Sequence, residues 1–284
     1  MDIFLQQLVN GIVLGAIYAL VALGYTMVYG ILGLINFAHG EVVMIGALVA
    51  LAVIQLLVGS GVPLPGPLIA AVGLAAAIPV CMALGYAIER IAYRPLRQAP
   101  RLAALITAIG VSIVLQNVAM IVWGRQYHSF PALLPDTPHH FAGATVSDLQ
   151  LFIVALAALI MAGLMGVNVN TVISLTFVIG SALAAVAGIM VAAYYGVAHY
   201  FMGFMLGLKA FTAAVLGGIG NIAGAMLGGL LLGMIESFGA GYIGPLTGGF
   251  LGSHYQDVFA FLVLILVLVF RPSGLLGERV ADRT

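Results

Sequence analysis

The stretch from residue 8 to residue 30, LVNGIVLGAIYALVALGYTMVYG, decides the class of this fold. A helix needs roughly 20 consecutive, mostly apolar residues to cross the hydrocarbon core of a membrane, and this stretch has that length and no charged side chain. The preceding residues, MDIF, contain no basic region of the kind that opens a cleaved signal peptide. We therefore predict that residues 8–30 form a membrane-spanning helix that stays in the protein.

The composition of the chain extends this prediction to most of its length. Of 284 residues, 63% are hydrophobic and 6% are charged, whereas about 25% of the residues of a soluble domain are charged. So few charges cannot cover a soluble surface, and the solvent around most of the surface must be lipid. The formal net charge is zero and gives no indication of nucleic-acid binding. The single cysteine, Cys81, excludes an internal disulfide and is typical of a small core residue.

Further apolar segments predict about eight or nine membrane segments. The glycine-rich stretch 206–222 is too short and too interrupted for an ordinary span, and we interpret it as a discontinuous span or a re-entrant loop. The predicted fold class is an all-α, polytopic transmembrane helical bundle with discontinuous or re-entrant segments. The predicted spans cover residues 8–30, 33–57, 66–88, 102–122, 149–163, 172–194, 223–240 and 256–270.

The arginines predict how the bundle is oriented, because short loops rich in Lys and Arg face the cytoplasm. One cluster lies in the loop 89–101, and three more arginines follow the last span. The C-terminus is therefore predicted inside, the N-terminus outside, and 123–148 becomes an external loop. The arginines of the two clusters are Arg90, Arg94, Arg97 and Arg101, then Arg271, Arg279 and Arg283.

The run NFAHGE, residues 36–41, interrupts apolar sequence on both sides. A His and a Glu at the edge of a span are costly unless they are paired or hydrated. One interpretation is a cytoplasmic helix junction, at which Glu41 favours the dipole of a helix start. The other is direct contact of Asn36 or His39 with a substrate or a proton. A metal site is disfavoured, because no other ligand stands at a suitable spacing.

Lys209 is the only lysine, and it lies in the stretch GLKAFTAAVLGGIGNIAGAMLGG, residues 207–229. It is either an interfacial lysine whose stem reaches water, or a cavity-facing charge, or a partner for Glu236. Glu236 lies within an apolar span, where a buried and unpaired carboxyl would be protonated. A helix end facing water is the alternative for Glu236.

Two further patterns have both a structural and a functional interpretation. Polar side chains recur at roughly helical spacing along the first span, which indicates either interhelical hydrogen bonds or a polar path. Glycines repeat at four-residue steps after Lys209. This pattern indicates either close packing of helices or backbone carbonyls exposed beside a substrate path. The two sets are Tyr18, Tyr25, Thr26 and Tyr29, and Gly217, Gly218, Gly220, Gly224, Gly228 and Gly229.

Taken together and in this order, several segments resemble the permease subunits of branched-chain amino acid ABC importers. The likeness covers essentially the whole chain, and NFAHGE together with GLKAF…GGIG is specific to this superfamily. The segments that carry it are NGIVLGAIYALVALGYTMVYGILGLINFAHGEVVMIGA, ERIAYRPLR, LTFVIGSALAAVAG, GLKAFTAAVLGGIGNIAGAMLGG and FRPSGLLGE.

The resemblance implies an importer in the bacterial inner membrane. Two homologous permeases pair, two cytoplasmic ATPase subunits drive them, and a periplasmic amino-acid-binding protein delivers the substrate. The chain would be one transmembrane domain of two related halves, roughly 1–122 and 149–284, joined by the external loop 123–148. The sequence has no GxxxxGK[ST], HExxH or CxxC motif. We therefore predict a non-catalytic subunit with no cofactor or metal of its own, and with ATP and Mg²⁺ bound by the partner ATPases.

The resemblance and the polar interruptions together predict two groups of functional residues. The predicted translocation path includes Tyr18, Asn36, His39, Glu41, Lys209, Gly217, Gly218 and Gly220. The predicted cytoplasmic, ATPase-facing residues are Arg90, Arg94, Arg97, Arg101, Gly166 and Asn168.

Other functions stay open at this point. An ion- or proton-coupled secondary transporter would also use broken helices, with Glu236 or Lys209 as a coupling site. A passive channel needs a polar lining that sequence cannot separate from glycine packing. An ABC permease for urea or short amides is also compatible with the sequence.

One segment departs from the family pattern. The stretch GLMGVNVNT, residues 163–171, should be cytoplasmic but contains no Lys or Arg, and the span 149–163 is shorter than roughly 20 residues. Permeases that resemble this chain carry a basic segment here, with a short coupling helix that docks into the ATPase. We predict an interruption between about Met161 and Val167, with residues missing from the sequence rather than lost from the protein.

Overall fold

The structure, a computed structural model, describes residues 2–33, 35–61, 63–96, 99–134, 136–141, 143–164, 173–250, 255–271 and 273–277. Within these residues the chain forms long α-helices and four very short strands. The helices are α1 (Asp2–Leu32), α2 (His39–Gly59), α3 (Gly66–Ile88), α4 (Arg101–Trp123), α5 (Asp148–Leu164), α6 (Ile173–Tyr195), α7 (Met202–Gly217), α8 (Ile222–Leu246) and α9 (Gln256–Phe270). The strands are β1 (His128–Ser129), β2 (Pro138–Phe141), β3 (Ala144–Ser147) and β4 (Val197–Ala198).

Six of the described helices, α1 to α4, α6 and α8, are long and apolar enough to cross a membrane. The helices α5 and α7 and the apolar part of α9 are shorter. The predicted all-α polytopic bundle with short segments is therefore confirmed. The two-fold internal repeat and the division into halves 1–122 and 149–284 stay predictions.

Helix α1 lies at the centre of the bundle, because small residues let α8 cross it closely. A Cβ added at Gly15 would lie 2.7 Å from Leu230 Cα, and one added at Gly11 would lie 2.7 Å from Met234 Cα. A Cβ at Gly229 would overlap the backbone of Ala19. Between membrane helices such close backbone approach replaces the hydrophobic drive that folds soluble proteins.

The connections gather at two opposite ends of the bundle. At the hairpin end, which comprises the described residues of the connection 124–147 and the loop 196–201, β2 pairs with β3 and β1 pairs with β4. Gln6 Nε2 donates a hydrogen bond of 3.1 Å to Thr145 O there, so the N-terminal turn of α1 lies at this end. At the arginine end, which comprises 33, 35–38, 89–96, 218–221, 271 and 273–277, Leu276 N donates to Gly217 O at 2.9 Å. The relative positions of the N-terminus and the external loop therefore agree with the predicted topology.

Several predicted boundaries are wrong: α1 begins at Asp2 rather than at residue 8, and α8 ends at Leu246 rather than at residue 240. The span predicted at 33–57 begins only at His39, because Gly33 takes a left-handed φ of 61° that ends α1. The predicted loop 89–101 is largely helical, since α3 continues as a π-helix over Glu89–Tyr93 and a 3₁₀ turn over Arg94–Leu96. The first arginines therefore project from a helical extension and not from an open loop.

The predictions for the glycine-rich stretch and for the segment after α5 have different outcomes. The stretch 206–222 contains a real discontinuity: α7 ends at Gly217, and α8 starts at Ile222 with the Asn221 side chain accepting from Gly224 N at 2.9 Å. The chain is helical up to Leu164. The part of the predicted interruption that follows Leu164 lies in 165–172, outside the described residues. The predicted ATPase-facing residues Gly166 and Asn168 lie there too.

Candidate functional site

An ion pair is buried where α1, α7, α8 and α9 meet. Lys209 Nζ lies 2.6 Å from Glu236 Oε1 and 2.7 Å from Asp257 Oδ1. Tyr18 Oη donates a hydrogen bond of 2.8 Å to Glu236 Oε2 and accepts one of 3.4 Å from Lys209 Nζ. Lys209 is 7% exposed and Glu236 is 0% exposed. Both oxygens of the Glu236 carboxylate therefore have a donor inside the bundle.

Pairing is what allows these charges to lie at this depth. Taking a carboxylate or an ammonium out of water costs several kcal/mol, and that cost is offset only by close ionic partners with further hydrogen bonds. Lys209 and Glu236 supply each other with such a partner. The interpretation of Lys209 as the partner of Glu236 is therefore confirmed.

The crossing of α1 and α8 positions the pair. Gly15 of α1 packs against the α8 backbone one helical turn before Tyr18, and Gly233 of α8 packs against Gly15 one turn before Glu236. Because residues three or four apart share a helix face, Tyr18 and Glu236 point toward each other. Helix α7 contributes Lys209 from the middle of its short length.

A cavity of about 360 Å³ opens beside the ion pair. Part of its wall comes from the α6–α7 connection at the hairpin end, and Lys209 with Tyr18 and Asp257 forms another part. The cavity therefore reaches from the hairpin end into the middle of the bundle. The residues that line it are Tyr18, Val191, Tyr195, Val197, His199, Phe201, Met202, Met205, Leu206, Lys209 and Asp257.

A second polar cluster surrounds Glu41 in the first turn of α2. Ser112 Oγ and Gln116 Nε2 of α4 donate to Glu41 Oε1 at 2.9 and 2.7 Å, and Glu41 is 1% exposed. His39 packs edge-on against Tyr25, with ring centroids 4.9 Å apart. Here the carboxylate joins α2 to α4, which the helix-junction interpretation did not include.

Close glycine contacts bring the start of α2 against α7. A Cβ added at Gly203 would lie 2.6 Å from Glu41 Oε2, and one added at Gly207 would lie 2.9 Å from Tyr25 Oη. Beside this contact is a cavity of about 230 Å³ whose wall includes Tyr25, Phe37, Ser112, Gln116, Phe204 and Gly207. The Glu41 cluster and the Lys209 pair thus share one helix, α7.

Polar contacts at the arginine end link the helical extension of α3 to the α1–α2 connection and to α6. Tyr93 Oη donates to Asn36 Oδ1 at 3.0 Å, and Ser174 Oγ donates to Glu89 Oε2 at 3.1 Å. Arg90 is exposed, and its Nη1 donates to Tyr86 Oη at 3.1 Å. Asn36 therefore has a structural partner at this end of the bundle.

The predicted glycines of the path pack against the tail of the chain. Leu275 N and Leu276 N donate to the carbonyls of Leu216 and Gly217, both at 2.9 Å. A Cβ at Gly218, whose φ is 111°, would overlap the backbone of Gly277. Gly217 also packs against the start of α8, so the predicted close packing of these glycines is confirmed.

The structure thus divides the predicted path residues into groups. Tyr18 and Lys209 line one cavity, while His39 and Glu41 are buried near the second cavity. Asn36, Gly217, Gly218 and Gly220 lie at the arginine end, where Arg94 is exposed. Arg97 and the side chain of Arg101 lie outside the described residues. Sequence reasoning missed Ser112, Gln116, Tyr195 and Asp257.

Of these missed residues, Asp257 alone gave a usable signal, as an isolated acid at the start of the last span. Among the described residues, no group of three or more His, Cys, Asp or Glu side chains is arranged to hold a metal ion. The expectation of no cofactor on this chain stays a prediction.

Comparison with known proteins gives near-full-length matches. The sequence model of the family described as "Branched-chain amino acid transport system / permease component" matches residues 7–164 and 159–268. The chain is 48% identical to the high-affinity branched-chain amino acid transport system permease protein BraD of Pseudomonas aeruginosa, over 97% of this chain and 96% of that protein. It is 45% identical to LivH of Escherichia coli K12, a permease protein described in the same words, over the same shares of both chains.

A more distant relative, a probable branched-chain amino acid transport permease protein of Methanocaldococcus jannaschii, is 26% identical over 94% of this chain and 91% of that protein. No solved structure matches. The alignments with the two bacterial permeases run over 304 positions, more than the 284 residues of this chain. Those permeases therefore contain residues that this chain lacks. The two ranges of the family match overlap at residues 159–164.

Proposed function

The chain belongs to the family of permease components of branched-chain amino acid transport systems, and from this premise we propose that it is a membrane-spanning subunit of an ATP-driven importer for leucine, isoleucine and valine. The near-full-length likeness to permeases described as high-affinity branched-chain amino acid transport proteins carries the proposal. The multi-pass bundle supports it.

The translocation path is proposed to pass the buried ion pair. The cavity beside Lys209 combines an apolar wall with charged and hydroxyl groups, which suits a zwitterion with an aliphatic side chain. Tyr18 and Lys209 line this path directly. The remaining proposed members, Asn36, His39, Glu41, Gly217, Gly218 and Gly220, border it or hold the helices that form it.

Membership of a transport system implies partner subunits. The proposed partners are a second, homologous permease, two ATP-binding cassette subunits and a periplasmic amino-acid-binding protein. ATP and Mg²⁺ would bind the ATPases, since this sequence has no phosphate-binding loop, and this chain would be non-catalytic. The exposed apolar face of α4, which includes Ile106, Ile113 and Ile121, is available to lipid or to the second permease.

The proposed location is the bacterial inner membrane, with the arginine end in the cytoplasm. The positive-inside rule supports this orientation, since Arg90 and Arg94 lie at that end with the tail after α9. The hairpin end, with the loop 124–147, would then face the periplasm and the binding protein. The ATPases would meet the arginine end, with Arg90, Arg94, Arg97, Arg101, Gly166 and Asn168 toward them.

Leucine uptake by the complex tests the proposal. Proteoliposomes containing this chain and its partner subunits should accumulate radiolabelled leucine only when ATP is supplied inside the vesicles and the binding protein is present. Isoleucine and valine should compete, whereas urea and acetamide should not. Accumulation driven by an ion gradient without ATP, or by this subunit alone, would contradict the importer assignment and favour a secondary transporter.

A further inference from the structure

The cavity beside the ion pair has more negative than positive groups in its immediate surroundings. Among the described residues at this site, Lys209 is the cation, and its Nζ lies within 2.7 Å of both Glu236 and Asp257. His199 also lines the cavity, but burial lowers its pKa below the ordinary value, so this imidazole is neutral at pH 7. One ammonium therefore faces two carboxylates. A surplus carboxylate in a poorly hydrated site attracts a further cation.

Of the two carboxylates, Asp257 is the one that a ligand can reach. Glu236 is fully buried and both of its oxygens are bound. The Asp257 side chain is 35% exposed and belongs to the cavity wall. An incoming ammonium group can therefore approach Asp257 without displacing Tyr18 or Lys209 from Glu236.

The same cavity offers a hydrogen-bond donor for an anionic group. Phe201 N donates to His199 Nδ1 at 3.2 Å. Because a neutral imidazole carries one proton, that proton is on Nε2, which can donate to a carboxylate. The His199 ring packs against Tyr127, with centroids 4.5 Å apart, which holds its orientation.

Most of the rest of the wall is apolar, and much of it comes from α6 and α7. Val191 of α6 and Met205 and Leu206 of α7 contribute aliphatic and thioether surface. Methionine adapts to side chains of different shape, so one wall can accept leucine, isoleucine and valine. A volume of about 360 Å³ leaves room for such a molecule together with water, which needs about 30 Å³ per molecule.

We propose that this cavity is a subsite that binds the branched-chain amino acid within the membrane domain. Asp257 accepts hydrogen bonds from the α-ammonium group, His199 Nε2 donates to the α-carboxylate, and Val191 with Met205 encloses the aliphatic side chain. This inference rests on the proposed function and adds the place in the permease where the zwitterion is recognised.

The first test replaces the ammonium acceptor in the complete importer complex. Asp257→Asn should lower ATP-dependent leucine uptake by about tenfold or more, because a charge-assisted hydrogen bond is lost. Asp257→Glu, which keeps a carboxylate at the same position, is the matched comparison and should retain more uptake than Asp257→Asn. Co-purification with the partner subunits shows whether each variant assembles.

The second test does not depend on how Asp257→Asn folds. Met205→Trp should fill the cavity and abolish uptake, whereas Met205→Leu should retain it. Photo-leucine, illuminated in the unmodified complex, should label residues of α6 and α7 that face the cavity. Leucine should suppress this labelling, and 4-methylpentanoate, which has no ammonium group, should not.

The outcomes separate the two levels of the proposal. If the unmodified complex does not import leucine, the proposed function is wrong and the subsite falls with it. If the unmodified complex imports leucine, but an assembled Asp257→Asn or Met205→Trp complex imports it equally well, the subsite is wrong and the function stands. Labelling confined to other helices, or suppressed equally by 4-methylpentanoate, would also overturn the subsite.

Discussion

Tyr18 and Glu236 lie 218 positions apart in the sequence, yet Tyr18 Oη donates a hydrogen bond of 2.8 Å to Glu236 Oε2 in the interior of the bundle. The bond links the first helix to the eighth. Lys209 then adds α7, and Asp257 adds α9, to the same polar cluster. Four helices therefore depend on one arrangement of charges.

Removing one member of the ion pair should destabilise the bundle more than removing both. Lys209→Met leaves the fully buried Glu236 carboxylate without a cation, which costs about 3–5 kcal/mol. In the double variant Lys209→Met/Glu236→Leu no fully buried carboxylate remains without a cation, and the loss of stability should be smaller than that of Lys209→Met alone. Unfolding in mixed detergent micelles measures the free energies. A double variant that is less stable than Lys209→Met would contradict the pairing.

The α1–α8 crossing should not accept even one methyl group at Gly229. In Gly229→Ala the added Cβ would overlap the Ala19 backbone, and such overpacking costs about 1–3 kcal/mol. Gly110→Ala is the matched control: a Cβ there meets nothing within 4 Å, so helix propensity should make it neutral or more stable by up to about 1 kcal/mol. Thermal unfolding in detergent compares the two variants, and equal midpoints would argue against the close crossing.

Neighbouring amides on α4 should respond differently to the same substitution. Gln116→Leu removes a donor to the buried Glu41 carboxylate and should cost about 1–3 kcal/mol, the usual penalty for a buried polar group without its partner. Asn117 is exposed and bonds only its own helix, at Ile113 O, so Asn117→Leu should change stability by less than about 0.5 kcal/mol. Micelle unfolding of both variants provides the measurement. A larger effect at Asn117 would reverse the assignment of the faces of α4.

Cysteine labelling should distinguish the two ends of the bundle in intact cells. The native Cys81 is buried, so the background reaction with a membrane-impermeant maleimide should be low. Tyr127→Cys, at a side chain that is 72% exposed at the hairpin end, should be labelled from outside. Arg90→Cys should be labelled only after permeabilisation, as the positive-inside rule requires. The opposite pattern would invert the proposed orientation.

Much of the fold could be predicted because the bilayer imposes length and apolarity on each span. The predicted spans at 66–88, 102–122 and 149–163 agree with α3, α4 and α5 within one residue at each end. Boundaries failed where local backbone chemistry decided them. Gly33 ended α1 by its left-handed conformation, and the π-turn at Glu89–Tyr93 continued α3 beyond the apolar run.

The candidate site was only partly predictable. Lys209 and Glu236 were evident because an isolated charge in an apolar span demands a partner. The partners Ser112 and Gln116 of Glu41 were not evident, because Ser and Gln in a span can hydrogen-bond to any neighbouring helix. Their role depends on how α4 packs against α2, and no local pattern records that packing. The cavity was missed for the same reason, since its wall combines α6, α7 and α9.

The tail after α9 has a consequence for how much its sequence can vary. Its bonds to Leu216 and Gly217 use only backbone N–H groups of Leu275 and Leu276, so other side chains at those two positions would leave the bonds intact. Gly274 is different, because its φ of 76° and its approach to Gly218 leave no room for a Cβ. The tail is therefore tolerant in side-chain identity but strict in length and in glycine spacing. Deleting one residue before Leu275 would shift both donors away from the end of the helix that carries Lys209.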